Sequence, residues 1–126
     1  MGQDYLAGRG SGDIFTWTRT ADRAIAGAAA DVVGDFNRAE GDLLSVSLID
    51  ANESMPGDQA FTFVGVVNFT SGFFSGAGQI GYFTDGLDTY ILLNTTVNPG
   101  AEGIDYEDAT IRLVGVHTPD VSWFAL

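Results

Sequence analysis

Short alternating apolar segments separated by glycines are the feature that most limits how this chain can fold. Its 126 residues include 17 glycines, and helical periodicity is scarce. The clearest strand signal is AFTFVGVV at residues 60–67, where Phe61 and Phe63 share one face because side chains alternate along a strand. Such a pattern favours strands joined by turns, so we expect a single all-β unit.

Similar segments recur along the chain. Residues 79–83 and 89–93 form a predicted hairpin, because Thr84-Asp85-Gly86 between them is a strong turn signal. Thr118-Pro119-Asp120 is expected to open a short C-terminal helix, with Thr118 or Asp120 as its cap. The other predicted strands cover residues 13–18, 31–36, 43–47 and 110–114.

The charge balance is strongly acidic. Thirteen Asp and four Glu face five Arg and no Lys, which gives a net charge of −12. Because few basic side chains are available to meet phosphate, the expected partners include neither nucleic acid nor anionic membranes. Asp is a good ligand for hard cations, so the bias fits a calcium-rich extracellular setting.

Two further absences in the sequence narrow the expectation. The chain has no Cys, so it makes neither disulfides nor thiolate metal sites, and calcium becomes a natural alternative stabiliser for an exported protein. It also has no N-terminal apolar leader and no run of about eighteen apolar residues, so we expect no stable membrane insertion.

Residues 31–52, DVVGDFNRAEGDLLSVSLIDAN, concentrate the acidic side chains. Asp31, Asp35 and Asp42 lie within twelve residues, together with Asn37 and Glu40. Carboxylates this dense need water, separation or a hard cation. The residues alone leave two interpretations open for the three aspartates, which are calcium ligation and service as caps, turn formers and solvated charges.

Enzymatic chemistry finds little support in the residues. A zinc protease needs the pattern His-Glu-x-x-His, whereas this chain has one histidine, His117, followed by Thr118 and Pro119. No nucleophile elbow is present, and nothing singles out two carboxylates for glycoside hydrolysis. We therefore expect a non-catalytic chain in which His117 has a structural role.

Residues 6–15, LAGRGSGDIF, are similar to the nonapeptide G-G-x-G-x-D-x-U-x of parallel β-rolls. Gly8 and Asp13 occupy the first glycine and the aspartate, and Phe15 occupies the apolar position U. In that motif turn carbonyls and the aspartate bind calcium. Arg9 and Ser11 replace two glycines, and an ordinary glycine turn before a strand remains the alternative.

Several segments, taken in their order along the chain, resemble those of a known domain family. Residues 31–52, then GDQAFTFVG at 57–65 and TIRLVGVHTPDVSWFAL at 110–126, resemble the C-terminal domain of serralysin-type metalloproteases. Related RTX, or hemolysin-type calcium-binding, exoproteins carry the same domain. One departure is Leu44-Ser45-Val46, which stands where the family has Ile-Asp-Leu, so one family aspartate is missing beside Asp42.

The resemblance implies a specific fold. It implies the end of a parallel β-roll, with residues 1–20 as the last degenerate turn. This roll would merge into a small β-sandwich cap with a short C-terminal helix over residues 21–126. It further implies calcium as the cofactor, and the candidate ligands are Gly8, Gly10, Asp13, Asp31, Asp35 and Asp42.

The resemblance also implies a function for the C-terminus. Exoproteins of this kind leave bacteria through a type I ABC transporter that recognises an uncleaved C-terminal signal. In this chain the signal would comprise Asp120, Val121, Trp123, Phe124 and Leu126. The expected partners are this secretion machinery and an upstream domain of the same polypeptide, and the expected location is extracellular.

A carbohydrate-binding β-sandwich module is the alternative function. Sugar rings stack on aromatic side chains, and four aromatic residues are candidates for such stacking, although aromatic residues in strands are commonly core residues. These candidates are Trp17, Tyr82, Tyr90 and Tyr106.

Overall fold

The computed structural model describes residues 4–18, 31–52, 55–67, 74–95 and 109–126. Within these ranges the chain forms short strands and two single-turn 3-10 helices, Arg38–Glu40 and Val121–Trp123. The strands are β1 (Tyr5–Leu6), β2 (Ile14–Thr16), β3 (Asp31–Val33), β4 (Leu43–Ser45), β5 (Thr62–Val66), β6 (Gln79–Thr84), β7 (Asp88–Asn94), β8 (Ala109–Val114) and β9 (Phe124–Ala125).

The strands form two sheets. The larger has six strands in the order β1-β3-β8-β7-β6-β5, and the smaller has three in the order β2-β4-β9. In the larger sheet β7 is antiparallel to both β6 and β8, whereas the remaining pairs are parallel. Both pairs of the smaller sheet are parallel. The described part of the chain is therefore a mixed sheet beside a short parallel sheet.

Three segments cross from the larger sheet to the smaller one in the same direction. We call them the first unit (residues 5–16, with β1 and β2), the second unit (residues 31–45, with β3 and β4) and the third unit (residues 109–125, with β8 and β9). Because their strands pair in parallel, the turn of each unit lies beside the turn of the next. The strands are in register, Leu6 with Val33 and Leu113 in the larger sheet, and Phe15 with Leu44 and Phe124 in the smaller.

The main hydrophobic core joins side chains of both sheets. Aromatic rings from the three units contact one another at this core. The ring centroids of Phe36 and Trp123 are 5.1 Å apart, and those of Phe15 and Phe36 are 6.4 Å apart. Removing such large side chains from water is the main favourable contribution to this packing, at about 1.5 to 3 kcal/mol each. The fully buried members are Val33, Leu44, Val46, Ala51, Ile80, Ile91, Leu93 and Leu113.

The predicted architecture, a β-roll merging into a β-sandwich cap, was wrong. The cap was expected to cover residues 21–126, but β3 and β5 to β8 of that range belong to the same six-stranded sheet as β1, which lies in the predicted roll turn. The reason lies in β8, which pairs in parallel with β3 on one side and antiparallel with β7 on the other. β8 therefore joins these strands in one sheet, whereas the prediction placed the cap strands in two packed layers.

The predicted C-terminal helix was also wrong. Asp120 does cap a turn, since its side chain accepts from the Ser122 backbone N–H, but the turn is the 3-10 helix Val121–Trp123. Phe124 is already extended, with φ −118° and ψ 141°. The helix ends there because Phe124 and Ala125 pair with β4.

Candidate functional site

In the turn of the first unit, two residues that are not glycine have the positive φ values that are typical of glycine. Arg9, Gly10 and Ser11 have φ values of 67°, 86° and 98°. Residues with a Cβ seldom adopt this left-handed region, and each such residue stores strain of order 1 to 3 kcal/mol. Arg9 and Ser11 are the two substituted motif positions, so the backbone keeps a conformation that glycine would adopt without strain.

Gly8 and Asp13 close this turn against each other. A Cβ built on Gly8 would lie 2.0 Å from Oδ2 of Asp13, so only glycine fits there. Oδ2 of Asp13 is buried and has no hydrogen-bond partner among the described residues. Burial of a carboxylate oxygen costs free energy unless the oxygen gains a partner in the protein. A bound cation would offset that cost.

Asp31 is the first residue of the second unit. It is 8% exposed, and its Oδ1 accepts the Asp4 backbone N–H at 3.0 Å. Its Oδ2 accepts from Nε1 of Trp17, also at 3.0 Å. Both oxygens therefore have donors from the segment that contains the first unit.

Asp35 and Asp42 make the same kind of contact. Asp35 is exposed, and its oxygens accept the backbone N–H groups of Gly8 at 3.0 Å and Arg9 at 2.8 Å. These two bonds, Arg9 first, lower the pKa of Asp35 below its ordinary value. Asp42 is 2% exposed and accepts from the backbone N–H groups of Asp13 at 2.9 Å and Asn37 at 2.8 Å.

The structure thus places the six predicted ligands at one junction without gathering them around one point. Gly8, Gly10 and Asp13 share the first turn, whereas the three aspartates of the second unit each contact separate donors. Among the described residues, no group of three or more His, Cys, Asp or Glu side chains is arranged to hold a metal ion. Calcium ligation by the three aspartates stays a prediction.

A second polar centre, at the third unit, was not anticipated from the sequence. Asp88 is 7% exposed, and its Oδ1 accepts the Gly115 backbone N–H at 2.9 Å while Oδ2 accepts from Nε of Arg112 at 2.7 Å. The Gly115 amide, followed by Arg112, lowers the pKa of Asp88, and the bond to Asp88 raises that of Arg112. The available signal was Arg112, an isolated cation in a predicted strand of an acidic chain.

The hairpin before this centre is held by its turn residue. Oδ1 of Asp85 accepts the backbone N–H groups of Leu87 and Asp88, and its Oδ2 accepts from the Tyr90 hydroxyl at 3.2 Å. The two backbone bonds lower the pKa of Asp85, whereas burial, followed by the bond to Asp85, raises the pKa of Tyr90. The predicted hairpin between β6 and β7 is confirmed.

His117 contacts β7, the end of β8 and two aromatic rings of the turns. Its backbone N–H donates to Oγ1 of Thr89 at 2.8 Å, and its Nε2 lies 2.9 Å from the carbonyl oxygen of Val114. Its ring meets Phe36 and Trp123 edge-on, with centroid separations of 6.3 and 5.9 Å. The ring therefore helps to pack the third turn.

The predicted secretion signal is in part held by the fold. Phe124 is 8% exposed, Trp123 stacks on Phe36, and Leu126 packs against the core. Asp120 and Val121 are exposed, and the Ser122 bonds lower the pKa of Asp120. A transporter would therefore have to recognise the apolar part of this segment before the chain folds.

The aromatic residues proposed for sugar stacking are largely engaged in packing. Trp17 is 8% exposed and donates to Asp31. Tyr82 is stacked with Phe63, and the rings of Tyr90 and Phe83 are stacked at 4.9 Å. Tyr106 lies outside the described residues. Tyr82 and Tyr90 are half-buried, and one face of each ring is covered by another ring.

In the described ranges no helix is long and apolar enough to cross a membrane. Comparison of the chain with protein-family models found no match. A search of curated proteins found none either.

Proposed function

We propose that this chain is a non-catalytic C-terminal module of a secreted RTX-type protein. In this proposal the first turn binds calcium, the segment from Asp120 to Leu126 serves as a type I secretion signal, and an upstream domain of the same polypeptide is the cargo. The order of sequence anchors from Leu6 to Leu126 supports the family assignment.

The single observation that carries the calcium part is the turn around Asp13. A buried carboxylate oxygen with no hydrogen-bond partner in the described part of the chain lies against Gly8, next to three successive residues of positive φ. Calcium takes six to eight oxygen ligands, and turn carbonyls and water complete such a shell. Asp13 would therefore hold the ion together with carbonyl oxygens of the turn, with Gly8 and Gly10 as the candidates.

Calcium binding would make the folding stability of the chain higher outside the cell than in the cytosol. A site with one carboxylate belongs to the weak class of extracellular calcium modules, with a dissociation constant of about 10⁻⁴ to 10⁻³ M. Such a site is empty at cytosolic calcium concentrations and filled outside the cell. Because the ion binds only the folded chain, its binding free energy adds to folding stability after export.

Export from a bacterium that carries a type I ABC exporter tests the secretion part. The full chain is compared with a chain truncated after Pro119. We expect the full chain in the medium and the truncated chain inside the cell. Equal export of both would contradict the proposal.

A second variant separates signal loss from misfolding. Phe61 is 4% exposed and lies outside the signal, so Phe61→Ala should destabilise the fold by about 3 to 5 kcal/mol. A signal recognised in the unfolded chain remains intact in this variant, so its export should continue.

A further inference from the structure

Three carboxylates of the second unit bind backbone or indole N–H groups in the segment that contains the first unit. We call Asp31, Asp35 and Asp42 the junction carboxylates. Their donors within residues 4–18 are the backbone N–H groups of Asp4, Gly8, Arg9 and Asp13 and the indole N–H of Trp17, at distances of 2.8 to 3.0 Å.

Each junction carboxylate has a donor on both of its oxygens. The sixth oxygen, Oδ2 of Asp42, accepts the Asn37 backbone N–H within the second unit at 2.8 Å. An ionised carboxylate has about four lone-pair sites, and on each of these oxygens one site is occupied by an N–H donor. The negative charge of each carboxylate is therefore already stabilised by N–H dipoles from the protein.

Asp31 and Asp42 are buried, and their N–H donors meet the requirement that a buried charge be hydrogen-bonded. Asp35 is exposed, and its two bonds fix the backbone of Gly8 and Arg9 beside the left-handed turn. The three aspartates therefore have hydrogen-bond partners on every oxygen without a calcium ion, in contrast to Oδ2 of Asp13, which has no donor among the described residues.

We propose that the junction carboxylates attach the first unit to the second without a metal ion, in place of the calcium that the family resemblance implies at this junction. The inference goes beyond the proposed function, which assigns calcium to Asp13 and its turn. It means that the first unit stays docked in chelator and that calcium adds stability to a junction already formed.

Residue-resolved amide exchange of the full chain, measured by NMR in chelator and in calcium, tests this proposal. The amides of Gly8, Arg9 and Asp13 should be protected in chelator as well as in calcium. Asp35→Ala removes the acceptors of two of them, so Gly8 and Arg9 should exchange about tenfold faster or more. Asp58→Ala, which removes an exposed aspartate, is the matched control and should leave these amides unchanged.

Two results would overturn the proposal. The first is protection of Gly8, Arg9 and Asp13 in calcium alone, and the second is an unchanged exchange rate at Gly8 and Arg9 in Asp35→Ala. The proposed function is judged by other measurements, namely the calcium dependence of the melting temperature and export. Either proposal can therefore fail while the other stands.

Discussion

Asp42 shows how a carboxylate in an acidic stretch becomes a structural acceptor. It is 2% exposed, and two backbone amides, those of Asp13 and Asn37, donate to its oxygens. One of those donors is 29 positions away in the sequence. The density of aspartates predicted that this segment is important, but both donors are backbone groups and one of them belongs to the first unit, so no side-chain pattern reveals them.

Removal of the Asp42 carboxylate should destabilise the protein strongly. Asp42→Ala leaves two amides without their acceptor, so we expect the free energy of unfolding to fall by about 2 to 4 kcal/mol. Urea denaturation followed by circular dichroism measures this. The exposed Asp58→Ala should change stability by about 0.5 kcal/mol or less. A matching loss in both variants would contradict the account of Asp42.

Gly8 offers a test of the packing at the first turn. Gly8→Ala places a methyl group against the Asp13 carboxylate, and we expect a loss of about 1 to 3 kcal/mol in the free energy of unfolding. Gly76→Ala is the control, because a Cβ at Gly76 meets nothing within 4 Å. Equal denaturation midpoints for the two variants would show that the close approach of Gly8 and Asp13 is wrong.

Asp88 predicts a pH dependence of stability. Its pKa is lowered from 3.8 in the folded state, so its contribution is fully present above the unfolded value and is lost as the pH falls through the lower folded value. Asp88→Asn removes this titration. Urea unfolding at several pH values should therefore show the largest difference between wild type and variant near neutral pH, shrinking below about pH 4. A difference that stays constant with pH would contradict this.

At the scale of elements, strand positions were predictable wherever alternation extends over several residues. β2, β3, β4, β6, β7 and β8 each overlap a predicted strand, as does β5 within residues 60–67. β1 and β9 were missed because strands of two residues carry no measurable periodicity. The final helix was overestimated because a capping residue is compatible with a single turn as well as with a longer helix.

The strand β9 should be more important for stability than the 3-10 turn before it. Phe124 is 8% exposed and its ring lies 5.3 Å from that of Phe63, so Phe124→Ala should cost about 3 to 5 kcal/mol. Val121 is 59% exposed, and Val121→Ala should cost about 0.5 kcal/mol or less. Thermal unfolding of both variants checks this, and similar melting temperatures would show that β9 is not docked on the core.

At the scale of the whole molecule, strand pairing was the part that the sequence could not supply. Residue patterns predict which segments are strands. They do not indicate which strands β3 pairs with, or whether the pairing is parallel or antiparallel. The choice of parallel pairing with β1 and β8 depends on contacts between distant segments. That choice brings the turns of the units together and thereby decides which carboxylates accept backbone amides. It also leaves Oδ2 of Asp13 without a donor among the residues that the structure describes.

The calcium dependence of thermal unfolding tests the central claim most directly. With calcium at about 10 mM and a dissociation constant of about 10⁻⁴ to 10⁻³ M, binding adds about 1.4 to 2.7 kcal/mol and raises the melting temperature by several degrees. Magnesium, which requires a stricter geometry, should have a smaller effect. We predict that Asp13→Asn abolishes the calcium shift and that Asp58→Asn retains it. Equal melting temperatures in calcium and in chelator for the wild-type chain would contradict the claim.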